Sequence, residues 1–113
     1  DFLIAKMPVD HRTKQPLGLL HGGASVVLSE TLGSLAASLL VDKSVEFPVG
    51  LEINANHIKS VKSGVVYGKV RPIHVGKRTH VWQTDIRNEV GKLICTSKLT
   101  VAIIEKDNAP GNY

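Results

Sequence analysis

The sequence predicts an α+β fold in which a curved antiparallel sheet wraps around one central helix. One long segment has helical periodicity, and the segments after it are alternating or continuously apolar, as strands are. Only 4% of the residues are aromatic, so the core must come from Val, Leu, Ile and Ala. With 113 residues, 42% of them hydrophobic, the chain can build one modest core. We expect one domain over residues 1–105 and a disordered tail over residues 106–113.

The expected order of elements is one strand, one helix and then four strands. The first strand covers residues 2–8, and a polar loop with Pro and Gly covers residues 10–18. The later strands are expected over residues 49–57, 65–70, 79–87 and 92–104, with a break near Pro72 and a hairpin turn over residues 88–91. Because one helix cannot cover both faces of five strands, a second copy is expected to bury the remaining face.

The helix is expected over residues 24–40, as a central rather than a surface element. Glu30, Ser34 and Ser38 share one face at i, i+4 and i+8, and small residues let other backbone approach closely. A second face carries four leucines at helical spacing: Leu28, Leu32, Leu35 and Leu39. Because burial of an unpaired charge costs several kcal/mol, a carboxylate in so apolar a helix indicates a functional role for Glu30 rather than a role in stability alone. The alternative is a Glu30 on a solvated stripe with the serines.

His21-Gly22-Gly23 comes immediately before the helical period. The amides of Gly22 and Gly23 are therefore expected among the first-turn donors that have no helical acceptor. Such donors, together with the helix dipole, suit a developing oxyanion. The alternative is that the two glycines only give flexibility to a tight turn before the helix.

The charge and composition argue against several function classes. The net charge of +4 and a pI near 9.4 favour anionic ligands, but the cations are scattered and aromatic rings are few, so a small phosphorylated ligand is expected rather than nucleic acid. The apolar run over residues 24–41 is interrupted by Ser, Thr and Glu, which predicts no membrane span, and the start does not resemble a signal peptide. A lone Cys95 favours a reducing compartment, so a cytoplasmic protein is expected.

Two other chemistries are disfavoured by the motifs. The chain has no Gly-x-Ser-x-Gly elbow and is too short for the doubly wound sheet of a serine hydrolase. Its five histidines include no His-x-x-x-His pair, and there is no cysteine cluster, so no metal is expected.

Three segments resemble the PaaI-like hotdog thioesterases: MPVDHRTKQPLGLLHGGASVVLSETLGS, VGLEINANHIKS and HVGKRTHVWQ. The resemblance runs from about Phe2 to Ile104 and is greatest to the bacterial 1,4-dihydroxy-2-naphthoyl-CoA thioesterases and their enterobactin-pathway relatives. It implies a hotdog domain over residues 1–105, with an active site between two subunits. The family's N-terminal helix and first strand are expected to be absent from this chain.

The resemblance also implies roles for individual residues. Glu30 would be the nucleophile or general base, and the Gly22 amide of the partner subunit would polarise the thioester carbonyl. Gln15 would help to position the thioester, His21 would lie beside the oxyanion donor, and Ser34 could hold the attacking water. Contacts to coenzyme A are implied at eight further positions: Gly50, His57, Lys59, Ser60, His74, Gly76, Lys77 and Arg78. The cations among them suit phosphate groups, although an ordinary solvated sheet edge is the alternative.

The expected function is therefore hydrolysis of an aromatic acyl-CoA, with menaquinone biosynthesis as the leading context and with no cofactor other than the coenzyme A of the substrate. A homodimer is expected, and a dimer of dimers after it. Lys59 stands where the family frequently has Arg, and Leu17 where it frequently has Phe. The resemblance therefore does not predict which acyl group is preferred. The alternatives are a noncatalytic acyl-CoA-binding module and a thioesterase for acyl-carrier-protein substrates. A hotdog dehydratase is disfavoured because it would need an Asp and His dyad at the helix start.

Overall fold

The structure is a computed structural model that describes residues 3–106. Its elements follow the expected order, with a single helix after the first strand. They are β1 (Leu3–Pro8), α1 (Gly22–Leu40), β2 (Glu46–His57), β3 (Val65–Val75), β4 (Thr79–Arg87) and β5 (Leu93–Glu105). The predicted α+β class and element order are confirmed. Phe2 and residues 107–113 of the predicted tail lie outside the described residues, whereas the Lys106 amide donates to the carbonyl of Val45 at 2.9 Å.

The five strands form one antiparallel sheet in the order β1-β3-β4-β5-β2, so β1 and β2 are its edges. The predicted turn over residues 88–91 is confirmed: the Asn88 amide donates to the Lys92 carbonyl, and Gly91 has the positive φ that favours glycine. The predicted break of β3 near Pro72 is wrong. The strand continues to Val75 with a register shift between Pro72 and His74, and an irregularity of this kind is where a strand tolerates proline.

Helix α1 lies against the sheet through small residues. A Cβ on Gly33 would lie 2.6 Å from Cδ2 of Leu99, and a Cβ on Gly68 would lie 2.9 Å from Cδ1 of Leu32. The buried residues of the helix are Ser25, Ser29, Leu32, Gly33, Ala36 and Ala37. Of the four leucines at helical spacing, Leu32 is buried and Leu28 half-buried, but Leu35 and Leu39 are exposed. Close packing on a sheet selects small residues, so the buried face of α1 is not its leucine face.

The core has two parts on the helix side of the sheet. One surrounds Leu32, Trp82 and Leu99, and the other surrounds Val66, Ile86 and Cys95. Within this chain α1 is covered by the sheet on one side, and its other side is exposed in the single protomer. By length and apolar character alone α1 could also cross a membrane, contrary to the expectation from its polar residues, and the core helix of a globular fold meets the same criterion.

Candidate active site

The loop between β1 and α1 is held by its own polar groups. The Asp10 carboxylate accepts hydrogen bonds from the amide and the guanidinium of Arg12, which hold the pKa of Asp10 well below its usual range. Thr13 Oγ1 donates to the Pro8 carbonyl at 2.8 Å. Gln15 Oε1 accepts from the amides of Leu17 and Leu19, which turns its side-chain oxygen back onto the loop. The amide NH₂ of Gln15 is therefore the group that it can offer to a ligand.

His21 is the N-cap of α1, a role that the sequence analysis did not foresee. Its backbone is extended (φ −70°, ψ 130°), and its Nδ1 accepts a hydrogen bond from the Gly23 amide at 2.8 Å. The prediction that both glycine amides are free is thus wrong for Gly23. In the described part of the chain no acceptor is assigned to the Gly22 amide, so this donor is left at the positive end of the helix. An Nδ1 acceptor also places the proton of neutral His21 on Nε2.

A cleft of about 350 Å³ lies at this end of the helix. It brings together five residues that the sequence predicted: Gln15, Gly22, His57, Lys59 and Ser60. Its other lining residues are Leu19, Leu20, Ser25, Ile58, Val61 and Ile94. The imidazole of His57 lies against Gly22, because a Cβ on Gly22 would be 3.1 Å from both Cε1 and Nε2 of His57. A side chain at position 22 would therefore press on the His57 ring, and glycine also leaves its own amide accessible.

Ser25 is a cleft residue that sequence reasoning missed. It is buried, and it lies three residues after Gly22 on the same side of the helix. That spacing could have identified it once Gly22 was chosen as a site residue. The apolar lining could not have been identified in this way, because Leu20, Val61 and Ile94 are brought together only by the meeting of the loop, the residues after β2 and the start of β5.

Glu30 is exposed on α1 in the single protomer, and its side chain reaches across to β2. Glu30 Oε2 lies 3.5 Å from the position that a Cβ on Gly50 would occupy, so the carboxylate rests over Gly50. Among the described residues no hydrogen bond or ion pair is assigned to the Glu30 side chain. Ser34 is half-buried and follows Glu30 by one helical turn. The predicted burial of Glu30 is therefore not reached within one chain.

Gly22 and Glu30 are too far apart to act on one carbonyl group. They are eight residues apart in α1, which corresponds to about 12 Å along the helix axis at 1.5 Å per residue. A general base and an oxyanion donor must both lie about 3 Å from the reacting atoms. A catalytic constellation that uses both groups therefore needs a second copy of the chain.

The remaining predicted contacts lie at the β3–β4 connection. The Gly76 amide donates to the Thr79 carbonyl at 2.9 Å, and the His74 imidazole lies over Gly76. Lys77 and Arg78 line a second cavity of about 350 Å³ together with Glu46 and Glu105. The structure thus places His74, Gly76, Lys77 and Arg78 apart from the cleft, in surroundings of mixed charge. Within residues 3–106, no group of three His, Cys, Asp or Glu side chains is arranged to hold a metal ion.

The chain is similar to known proteins over most of its length. Residues 17–95 match the family model of the thioesterase superfamily. The chain is 56% identical over 104 residues to the 1,4-dihydroxy-2-naphthoyl-CoA hydrolase of Escherichia coli, covering 92% of this chain and 76% of the relative. It is 47% identical to the proofreading thioesterase EntH of Klebsiella pneumoniae, covering 90% and 74%. A solved thioesterase from Haemophilus influenzae superposes with a TM-score of 0.90 at 53% identity, covering 93% and 73%. These similarities confirm the predicted hotdog fold.

Proposed function

The chain belongs to the thioesterase superfamily, and we propose that it hydrolyses an aromatic acyl-CoA thioester to the free acid and coenzyme A. The 1,4-dihydroxy-2-naphthoyl group is the first acyl group to test, because a relative with 56% identity is named for it. Menaquinone biosynthesis in the cytoplasm is the proposed context. The reaction as proposed needs no metal or prosthetic group. Its chemical requirements are a polarised carbonyl and an activated or directly attacking oxygen nucleophile.

The observation that carries the mechanism is the amide of Gly22, a cleft-lining residue at the start of α1, for which no acceptor is assigned among the described residues. A thioester oxygen placed there would accept a hydrogen bond that strengthens as negative charge develops in the transition state. The helix dipole acts in the same direction. His21 holds the Gly23 amide and so defines the N-terminal turn, and the Gln15 NH₂ can reach a thioester from the loop side.

Two copies of the chain are proposed to build each site. Glu30 of one copy would face the Gly22 amide of the other, because about 12 Å of helix separates these groups within one chain. Edge strand β2 and the outer side of α1 offer the surface for this association. Their exposed apolar residues include Val27, Leu35, Val49 and Leu51. Apolar residues along an unpaired edge favour a partner strand. The same proposal includes the pairing of two such dimers into a dimer of dimers.

Glu30 is proposed as the nucleophile or general base. As a nucleophile it would form a mixed anhydride and release the coenzyme A thiolate, and water would then cleave the anhydride. As a base it would take a proton from water while that water attacks the carbonyl, with Ser34 one turn away to hold the water. His57, Lys59 and Ser60 would contact the coenzyme A arm in the cleft, with Gly50, His74, Gly76, Lys77 and Arg78 completing its path.

Replacement of Glu30 tests this proposal. We expect Glu30→Gln to keep the fold and to lower kcat by about 100- to 10,000-fold, the range for a positioned acid-base group. Thiol release would be measured with 1,4-dihydroxy-2-naphthoyl-CoA and with benzoyl-CoA. Glu89→Gln is the matched control, because its amide oxygen can still accept from the Val65 amide. An unimpaired Glu30→Gln enzyme would remove the carboxylate from the mechanism.

The same assay separates the alternatives. If calorimetry shows that the wild-type chain binds acyl-CoA tightly while no thiol is released, the chain is a noncatalytic binding module. If the thioester on acyl-carrier protein is cleaved faster than the coenzyme A thioester of the same acyl group, the preferred substrate is the acyl-carrier-protein thioester.

A further inference from the structure

Edge strand β2 contains a β-bulge beside the site. It pairs with β5 along its whole length, but Gly50 pairs with Val101 and Glu52 with Thr100, so Leu51 is an extra residue. Bulges of this kind occur at sheet edges and near active sites, where they change the direction of side chains.

The bulge decides which residues of β2 face α1. On β5 the alternate residues Val101, Leu99, Ser97 and Cys95 are all buried. Their partners on β2 are Gly50, Ile53, Ala55 and His57. Along β2, the first two of these partners, Gly50 and Ile53, are three residues apart, and each later pair is two residues apart. Gly50 and His57 are seven residues apart, an odd number, and in a regular strand they would face opposite sides. The bulge puts both on the helix side.

Both residues then contact the groups that the mechanism uses. Gly50 lies under the Glu30 carboxylate, and His57 lies against Gly22. One strand face therefore touches the proposed base at one end and the proposed oxyanion donor at the other.

From these contacts we infer that Gly50 is a positioning residue for the Glu30 carboxylate, and that the Leu51 bulge allows the same strand to hold His57 against Gly22. The inference rests on the proposed function, which it deepens. Glu30 extends from a rigid helix, and β2 limits how far its side chain can move. The absence of a side chain at position 50 determines how closely the carboxylate approaches the strand.

The geometry predicts a graded response to side chains at position 50. An alanine Cβ would lie 3.5 Å from Glu30 Oε2, which is an ordinary contact. The methyl groups of valine reach about 1.5 Å further, so the carboxylate must leave its position. We expect Gly50→Val to lower kcat by about tenfold or more, as misplacement of a catalytic group does. The loss for Gly50→Ala should be smaller.

A double-mutant cycle with Glu30→Gln separates positioning from other effects. If Gly50 acts through the carboxylate, Gly50→Val should cost nothing further once the carboxylate is gone. Asn54→Val is the control. Asn54 lies on the same strand but on the opposite face, where its partner Lys98 is exposed. The kcat of this variant should match that of the wild type. Circular dichroism and gel filtration report whether each variant folds and associates. If Gly50→Val does not fold, the Gly50→Ala cycle gives the same comparison.

Two outcomes would overturn the inference: an unchanged kcat, whatever the change in KM, or an equal loss of kcat in the wild-type and Glu30→Gln backgrounds. They are distinct from failure of the proposed function, which would appear as full activity of the Glu30→Gln single variant.

Discussion

Each of the two glycines of the His-Gly-Gly motif has a separate task. Gly23 gives its amide to His21 Nδ1, whereas Gly22, whose amide has no acceptor assigned among the described residues, makes room for His57. The motif predicted free amides at a helix start, and this holds for Gly22. The sequence could not predict that His21 would use one of them, because His is not among the preferred N-cap residues.

The surroundings of Glu30 show where sequence reasoning ends. Helical spacing predicted that Ser34 follows it by one turn, and the structure agrees. The contact with Gly50 depends on which strand lies beside α1 and on the register of that strand, and no local pattern contains this information. The partner that would cover Glu30 lies outside the single chain altogether.

His80 is the buried residue whose titration should affect stability. It is 3% exposed, and its Nδ1 accepts a hydrogen bond from Trp82 Nε1 at 3.3 Å. Burial lowers the pKa of His80 from its ordinary value of 6.5; Glu46 opposes this shift and His74 adds to it. The unfolded chain therefore binds a proton more readily at position 80, and the contribution of His80 to the free energy of unfolding should decrease as the pH is lowered below 6.5 and stay level above it.

Denaturant unfolding at about pH 7 and about pH 5 would measure this effect, because Trp82 is the only tryptophan and reports directly on its neighbour. In His80→Gln the pH dependence in this range should decrease. The carboxylates of Asp10 and Asp42 also have lowered pKa values, but they contribute only at a pH near or below 3.8. A His80→Gln variant with the same pH dependence as the wild type would rule out the assignment.

At the scale of elements, strand periodicity predicted β4 at its observed bounds and the other strands to within a few residues, apart from the extension of β3 past Pro72. The bulges in β2 and β3 were not predictable, because a bulge is defined by the partner strand. The helix boundaries were close, but the sequence did not identify the buried face of the helix, because the sheet selects small residues where the two elements approach most closely.

Two single deletions in β2 should have unequal effects on stability. Deletion of Leu51 removes the bulge and leaves a regular ladder in which Gly50, Ile53 and His57 keep their partners. Deletion of Asn54 shifts the strand by one residue. If the residues before position 54 keep their partners on β5, His57 turns away from α1. If the residues after position 54 keep theirs, the bulge is lost, Glu52 turns inward and Ile53 turns outward.

We expect deletion of Asn54 to lower the free energy of unfolding by about 2 kcal/mol or more relative to deletion of Leu51, because an apolar residue is exposed or a charge is buried. Chemical denaturation of the two variants gives the comparison. Equal stability, or a less stable Leu51 deletion, would show that the bulge does not serve to set which residues of β2 face α1.

At the scale of the whole molecule, the separation of Gly22 and Glu30 predicts complementation between two inactive chains. One chain would carry Glu30→Gln and the other Gly22→Pro. Proline at the first helical position removes only an amide that has no helical acceptor, and the extended backbone of His21 suits a residue before proline. The His57 ring must move by a few tenths of an ångström, since the new Cβ would lie 3.1 Å from it.

A dimer of the two variants contains one site with both replacements and one site with neither. After unfolding and refolding of an equal mixture, half of the dimers should be mixed, and about a quarter of the wild-type activity should return. Each variant refolded alone is the control and should stay inactive. If each chain built its own site, every site in the mixture would contain one replacement and no activity would return. Recovery of activity on mixing therefore reports directly that the carboxylate and the amide come from different subunits.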